Sequence, residues 1–292
     1  MKAWLIYNSY LKSAKFEEIY RLLSTAGNQL GIELTLRGNG ELLLPVPGNA
    51  EEELPDFALF WDKDIPLGRS LEARGLRLYN SSAAVEACDD KRRTQHVLSA
   101  AGISMPAAIP GPMTYDPSGI SDFSFLQRAG EILGWPMVIK EAFGSFGMQV
   151  HLARDRMEAE QIVSSFGNRP FLIQRFIAAA AGRDVRINVV GGRVAACMER
   201  RSRDGDFRSN ATLGGLVAAV EPPECAKELA VRAAEVLGLD FAGVDVFFDE
   251  NGMPMICEVN SNPHFATTYA ATGIDLAPLI LRHCREKTEA IR

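Results

Sequence analysis

The chain lacks most of the familiar signatures of catalysis. It has no GxxxxGK[ST] loop, no GxGxxG after an apolar strand, and no GxSxG. These absences set aside a P-loop nucleotide site, a dinucleotide fold and a serine-hydrolase elbow. Its four histidines (His96, His151, His264, His283) show no metal-ligand spacing. Its five cysteines are odd in number, scattered and without a CxxC pair, so they read as buried thiols in a reducing compartment. No apolar run approaches the roughly 20 residues of a membrane span, and MKAWLIYNSYLKSAKF is too short in apolar residues for a signal peptide. No repeat or low-complexity tract is present. A cytoplasmic protein that does not touch a membrane is expected.

What remains is an ordinary globular composition. Hydrophobic residues make up 47% and charged residues 23% of 292 residues, enough for one large or two smaller domains with proper cores. The net charge of -6 gives no general reason to expect nucleic-acid binding.

Apolar spacing predicts strands at 2–7, 33–36, 57–60 and 76–79, with helices at 14–30 and 67–74. This is a small α/β layer of about 85 residues. Asp62 and Asp64 fall at a strand's carboxyl end, where open α/β sheets bind ligands, although a polar loop is the plainer reading of them. One helix is expected over 82–101, capped by Ser82 and stopped by Gly102. Pro and Gly then crowd 105–119, which reads as a connector. A helix at 123–133 leads to a strand ending at Lys140, followed by GSFG, a strand at 148–152, a helix at 159–165 and a strand at 171–177. Gly191-Gly192 joins strands 185–190 and 194–198 in a hairpin. A charged loop is expected from 199 to 213, then helices at 225–237 and 275–285.

The most informative stretch is FAGVDVFFDENGMPMICEVNSNP, 241–263. Asn251-Gly252 favours a two-residue hairpin loop, which sets Asp245 opposite Glu258. Glu258 and Asn260 then share a face with Asp245, since side chains alternate along a strand. No Lys or Arg lies between Asp245 and Asn260, so two carboxylates and an amide oxygen converge as a hard-cation site. Solvated acids on an ordinary hairpin are the competing reading. Lys140 with Gly144, Ser145, Phe146 and Gly147 offers a fixed cation beside a Gly-rich turn, suited to phosphate oxygens. On 184–190, Val185, Ile187 and Val189 take one face; Asp184, Arg186 and Asn188 take the other, toward water or a site. Arg200, Arg201, Arg203 and Arg208, near Asn210, concentrate guanidiniums that suit carboxylate and phosphate. Taken in order, these describe a magnesium–nucleotide phosphoryl-transfer centre.

That order resembles the ATP-grasp superfamily. CDDKRRT, VIKEAFGSFGMQV, GRDVRINVVGGRV, ERRSRDGDFRSN, GLDFAGVDVF, CEVNSNP and TGIDLAP are similar to the RimK-like branch of glutamate ligases, the ribosomal-protein-modifying type. The resemblance covers most of 80–280 and implies an α/β (α+β ATP-grasp) fold in three parts: a small N-terminal α/β domain at 1–86, a central lid domain at 87–176 and a C-terminal ATP-grasp sheet at 177–292. It implies ATP phosphate contacts at Lys91 and Lys140, a flap at Gly144, Ser145, Phe146 and Gly147, and an adenine hinge at Gln174, Arg175, Phe176 and Ile177. Asp184 would lie near the ribose, and Arg186 near the phosphates or acyl donor. Asp245, Glu258 and Asn260 would hold Mg²⁺, usually two ions, with Mn²⁺ as a substitute. Arg208 and Asn210 would sit by the transferring phosphoryl; Arg200 and Arg201 would anchor a substrate carboxylate, with Ser261 and His264 on the acceptor side. Two positions depart from the pattern: Arg175 stands where the family often has an acid, and His264 replaces a small Gly-containing loop.

The activity implied is ADP-forming ligation of a carboxylate to an amine through an acyl phosphate, with an amino acid of the glutamate type and a peptide, protein or small acceptor. Another ATP-grasp ligase (dipeptide or carrier-protein) and a non-catalytic ATP-binding regulatory module are the alternatives. A homodimer or homotetramer is expected from the family.

Overall fold

The computed structural model describes residues 1–46, 53–144, 147–209 and 215–291. Three sheets organise them. The first is parallel, in the order β2-β1-β3-β4, from β1 (Lys2–Tyr7), β2 (Glu33–Gly38), β3 (Phe57–Trp61) and β4 (Leu78–Tyr79). Helices α1 (Ala14–Gln29) and α2 (Ile65–Glu72) provide its crossovers, so the expected α/β layer is present. Asp64 caps α2 by accepting from the Leu67 N–H at 3.1 Å.

The expected helix over 82–101 is two helices, α3 (Ser82–Asp89) and α4 (Lys91–Ala100). Asp90 breaks it: its backbone is extended, and its carboxylate accepts from Arg92 N–H at 2.9 Å to cap α4. A capping Asp competes with helix continuation, and here the cap won. As a result Lys91 becomes the first residue of α4, with its N–H on the Ala142 carbonyl at 3.0 Å.

The second sheet runs β5-β8-β6-β7: β5 (Ala108–Pro110), β8 (Phe171–Arg175), β6 (Met137–Glu141) and β7 (Val150–Ala153), backed by α5 (Ser124–Leu133) and α6 (Arg156–Ser165). Part of the supposed connector is therefore an edge strand, β5, with Pro110 at its end, where a missing N–H is tolerated.

The third sheet has the order β11-β10-β9-β12-β13, from β9 (Arg183–Val190), β10 (Arg193–Arg201), β11 (Leu216–Ala219), β12 (Phe241–Phe248) and β13 (Pro254–Asn260). Val185, Ile187, Val189, Val244, Val246 and Ile256 bury one face against α7 (Glu224–Val236), whose Ala226, Ala230, Ala233 and Ala234 let the helix approach closely. The opposite face meets α8 (Ala266–Thr272) and α9 (Ala277–Glu289), which also join it to the first sheet. Sequence reading missed α8. It also ended β10 too early, because Glu199, Arg200 and Arg201 look like loop residues yet pair with β9 and β11.

Asn80 locks the first sheet to the third. Fully buried, it donates from Nδ2 to the Phe241 and Ser261 carbonyls at 2.9 and 2.8 Å, and its Oδ1 accepts from Asp240 N–H at 2.7 Å. One amide thus ties together the start and the end of the β12–β13 hairpin.

Candidate active site

Asp245 faces Glu258, and Gly243 faces Asn260, as the register predicts. The route there differs. The turn is wider than two residues: Asp249 N–H donates to the Met253 carbonyl at 3.0 Å, and its carboxylate accepts from the Asn251 and Met253 N–H groups. Phe248 therefore pairs with Pro254, one residue out of the expected register, and a bulge between Val246 and Asp245 restores it. Cys257 is the extra residue of that bulge. The Asp249 side chain overrides the Asn-Gly preference because it satisfies two turn N–H groups at once.

Asp245, Glu258 and Asn260 line a cleft of about 550 Å³ between the second and third sheets, which also reaches the carboxyl ends of β1 and β3. Lys91, Lys140, Gly144 and Gly147 line it, as do Gln174, Arg175, Phe176 and Ile177. Asp184, Arg186, Arg200 and Arg208 join them, together with Ser261 and His264. Ser145, Phe146 and Asn210 lie outside the described residues.

The polar face of β9 is not solvated: Asp184, Arg186 and Asn188 are all buried. Nor is Asp245 unneutralised, although its own hairpin carries no base. Arg186 stands opposite it on β9, bonding Oδ1 through Nε and Oδ2 through Nη2 at 2.9 Å. Arg200 bridges to Asp245 Oδ1 at 2.8 Å and clamps Asp184 at 2.6 and 2.5 Å, with the Ser209 hydroxyl donating to the same Asp184 carboxylate at 2.6 Å. Sequence distance hid these partners; strand pairing supplies them. Burial alone would raise the Asp245 carboxyl, but the Arg186 and Arg200 guanidiniums hold it below the usual carboxylate range.

Arg200 and Arg201 have opposite fates because β10 continues through both. Arg200 points into the cleft. Arg201 is exposed, paired with Glu199 at 2.6 Å, and does not line the cleft. Strand alternation turns Arg201 away from the cleft that Arg200 lines, so the fold does not bring it to the other expected site residues. Arg200, 8% exposed, spends its guanidinium on Asp184 and Asp245, so its first role here is structural.

Lys91 Nζ donates to the Gly144 carbonyl at 3.1 Å and lies 3.6 Å from Glu258 Oε1, linking α4, the Gly turn and β13. Arg208 Nη1 donates to the Gly147 carbonyl at 3.0 Å, holding the turn from the other side, while Asp206 holds its Nη2 at 2.7 Å. Lys140 is 7% exposed on β6. Arg175 turns its guanidinium back to the Leu133 and Ile132 carbonyls at 3.2 and 3.4 Å, where it completes the end of α5. His264 Nε2 meets the Lys15 carbonyl at 3.1 Å, and burial holds its imidazole below the ordinary value.

Among the described residues no three His, Cys, Asp or Glu side chains form a metal-binding group. The candidate set is two carboxylates and an amide. Of the roughly four lone-pair positions on the Asp245 carboxylate, three face guanidinium N–H groups and one is left. Glu258 presents a half-open carboxylate. Asn260 commits its Nδ2 to the Gly243 carbonyl at 3.4 Å, so its oxygen is the atom it can offer a cation. The donor set is all oxygen and fits a divalent hard cation, with Glu258 as the most available ligand.

Residues 88–284 match the RimK-like ATP-grasp domain. The chain is 35% identical to human beta-citrylglutamate synthase B over 248 residues, 85% of this chain and 63% of that one. It is 36% identical to the ribosomal protein bS6--L-glutamate ligase of Escherichia fergusonii over 216 residues, 73% of this chain and 69% of that one. It spans less than two thirds of the length of several curated relatives it matches, 62–64%. In fold it is similar to a RimK domain protein ATP-grasp from Sphaerobacter thermophilus (TM-score 0.75, 24% identity, 97% of this chain and 99% of that one). It is also similar to the ATP complex of D-alanine--D-alanine ligase from Bacillus anthracis (TM-score 0.70, 19% identity, 100% of this chain and 98% of that one). The chain belongs to the RimK-like ATP-grasp family.

Proposed function

We propose that this protein is an ADP-forming carboxylate–amine ligase that joins an amino acid of the glutamate type to a carboxylate. The observation that carries this reading is the Asp245–Glu258 pairing beside Lys91 and Lys140 in one cleft. It is supported by the names of the relatives, which include glutamate ligases and synthases of glutamate conjugates.

A carboxylate is a poor acyl donor because its leaving group would be an oxide. Transfer of the γ-phosphoryl group to the carboxylate, with ADP leaving, makes an acyl phosphate; the amine nitrogen then attacks the acyl carbon, the C–O bond to phosphate breaks, and the amine's proton passes to a substrate or phosphate oxygen. Lys91 and Lys140 hold the phosphate oxygens, and Arg208 lies by the transferring group, where fixed positive charge lowers the barrier. Gly144 and Gly147 let the turn close over the phosphates, with Lys91 and Arg208 already bonded to it. Closure keeps water from the acyl phosphate. Arg186 orients the carboxylate substrate while fixing Asp245. Glu258, Asn260 and Asp245 would hold Mg²⁺, which supplies charge neutralisation for the phosphoryl group. The finer expectations go with this reading: two ions, Mn²⁺ as a substitute, three domains divided near 86 and 176, a cytoplasmic location and a homo-oligomer.

Mass spectrometry of a cell extract incubated with the purified protein and labelled ATP tests the proposal. A new amide of an amino acid, formed only with ATP, is expected. ATP binding without any amide product would leave the protein a regulatory nucleotide-binding module.

A further inference from the structure

The cleft is lined by two different chemistries. Residues beyond 86 bring it cations, with Lys91, Lys140, Arg186 and Arg208 among them. The first 86 residues bring it Leu11, Phe16, Tyr20 and Trp61. Among the described residues of that part, Lys63 is the one cationic side chain lining the cleft, and its ammonium bonds the Asp89 carboxylate at 2.5 Å. Asp62 adds a further acid there. His264, which meets the Lys15 carbonyl, is kept neutral near pH 7 by its burial. A carboxylate placed at this end would lose water and meet acids in return, which is costly.

The apolar residues form a wall. Tyr20 sits between Tyr7 at 5.3 Å and Phe16 at 6.5 Å, the latter ring inclined to it by 28°. Phe16 and Tyr20 are half-buried, and Leu11 is 52% exposed. Trp61 is buried and stacks on Phe241 at 5.4 Å, so its ring is fixed. Burial pushes the Tyr20 phenol up to about 12, so the wall carries no charge. Flat, uncharged rings of this kind hold apolar and aromatic groups.

Strand β12 sets the distance from this wall to the charged part of the cleft. Phe241, Gly243 and Asp245 share one of its faces by alternation. Trp61 stacks on the first of them. Arg186 bonds the third through Nε and Nη2, with Nη1 turned toward Gly243, where a Cβ would come within 2.9 Å of it. Two residues of strand span about 7 Å, so a carboxylate at Arg186 can lay a body of that length against the aromatic side.

We propose that Leu11, Phe16, Tyr20 and Trp61 form the specificity pocket for the carboxylate substrate, which is an acid with an apolar or aromatic body. This rests on the ligase reading for the carboxylate at Arg186, and on the wall's own chemistry for the body. The two carboxylates of L-glutamate find no counter-charge at this end, so the amino acid is not its occupant. The first sheet thereby reads the substrate as well as supporting the third.

Three probes that share a short acid chain test the pocket: butanoate, 3-phenylpropanoate and succinate. Each is titrated by calorimetry into protein loaded with Mg²⁺ and a non-hydrolysable ATP analogue, which fills the phosphate positions. Wild type is expected to bind 3-phenylpropanoate at least about ten-fold more tightly than butanoate, and succinate no more tightly than butanoate. Phe16→Ala and Tyr20→Ala are each expected to erase most of that preference while binding the ATP analogue as wild type does. Leu11→Arg, at an exposed position, is expected to shift the preference toward succinate. Equal binding of butanoate and 3-phenylpropanoate by wild type, tighter binding of succinate, no binding of any probe, or a preference intact in all three variants would overturn the proposal. The two readings fail separately. Glutamate-dependent ADP release supported by succinate and not by 3-phenylpropanoate removes the pocket and leaves the ligase. An aromatic preference without any amino-acid-dependent ADP release removes the ligase and leaves the pocket.

Discussion

Arg200 lies 2.8 Å from Asp245 and shares its other contacts with Asp184, so one buried guanidinium serves two buried carboxylates. Removing it leaves Asp184 with the Ser209 hydroxyl alone and Asp245 with Arg186 alone. Arg200→Met is expected to destabilise the protein by about 3–5 kcal/mol, the usual cost of breaking a buried pair from one side. Arg201→Ala, one residue on and exposed, is expected to leave the denaturation midpoint within error of wild type. Urea denaturation of the two variants side by side checks both.

Asn80 makes a second localised prediction. Asn80→Ala leaves the Asp240 N–H and the Phe241 and Ser261 carbonyls without their partner. At about 1–3 kcal/mol for each buried group left unsatisfied, a loss of at least about 3 kcal/mol is expected by chemical denaturation.

Acid stability should depend on Asp240. Burial would raise its carboxyl, but His283 at 2.8 Å and the Lys287 ammonium pull it below the ordinary value. A carboxyl lowered on folding stabilises the native state above its unfolded value of about 4. That contribution is lost as pH falls below about 4 toward the folded value. Urea midpoints measured from pH 6 to pH 3 are expected to fall more gently at the acid end in Asp240→Asn than in wild type.

Glu258 separates chemistry from folding. Its side chain is 36% exposed and its one ion pair among the described residues is the 3.6 Å approach of Lys91, so Glu258→Gln removes little that holds the fold. Turnover is nevertheless expected to fall by about 100-fold or more, because the proposed cation ligand is lost. Circular dichroism and melting unchanged from wild type, with ADP release suppressed, is the expected pair of results.

The sequence was most readable where a pattern is local. The apolar runs KAWLIY and FAGVDVFF announce strands without help from elsewhere. Reading failed where a side chain competes with the backbone. Asp90 splits a helix by capping it, and Asp249 widens a turn that Asn251-Gly252 would have made tight. The register of Asp245 with Glu258 survived only because the bulge at Cys257 compensates the wider turn. The cleft itself was legible as a set of residue types. The approach of Arg186 and Arg200 to Asp245 was not, since they lie 59 and 45 positions away in the chain and only the sheet order, with β9 beside β12 and β10 beyond β9, brings them together. Asp62 was visible at a strand end, but its burial and its bonds from Asn8 and the Lys63 N–H are properties of packing, and no spacing rule carries them.

The most direct measurement is ADP release by the purified protein with ATP, Mg²⁺, L-glutamate and a panel of carboxylates, run beside Glu258→Gln. ADP formation that requires both an amino acid and a carboxylate, and that collapses in the variant, is the predicted result. ADP release that no amino acid or carboxylate stimulates, or that Glu258→Gln leaves at the wild-type rate, would contradict it.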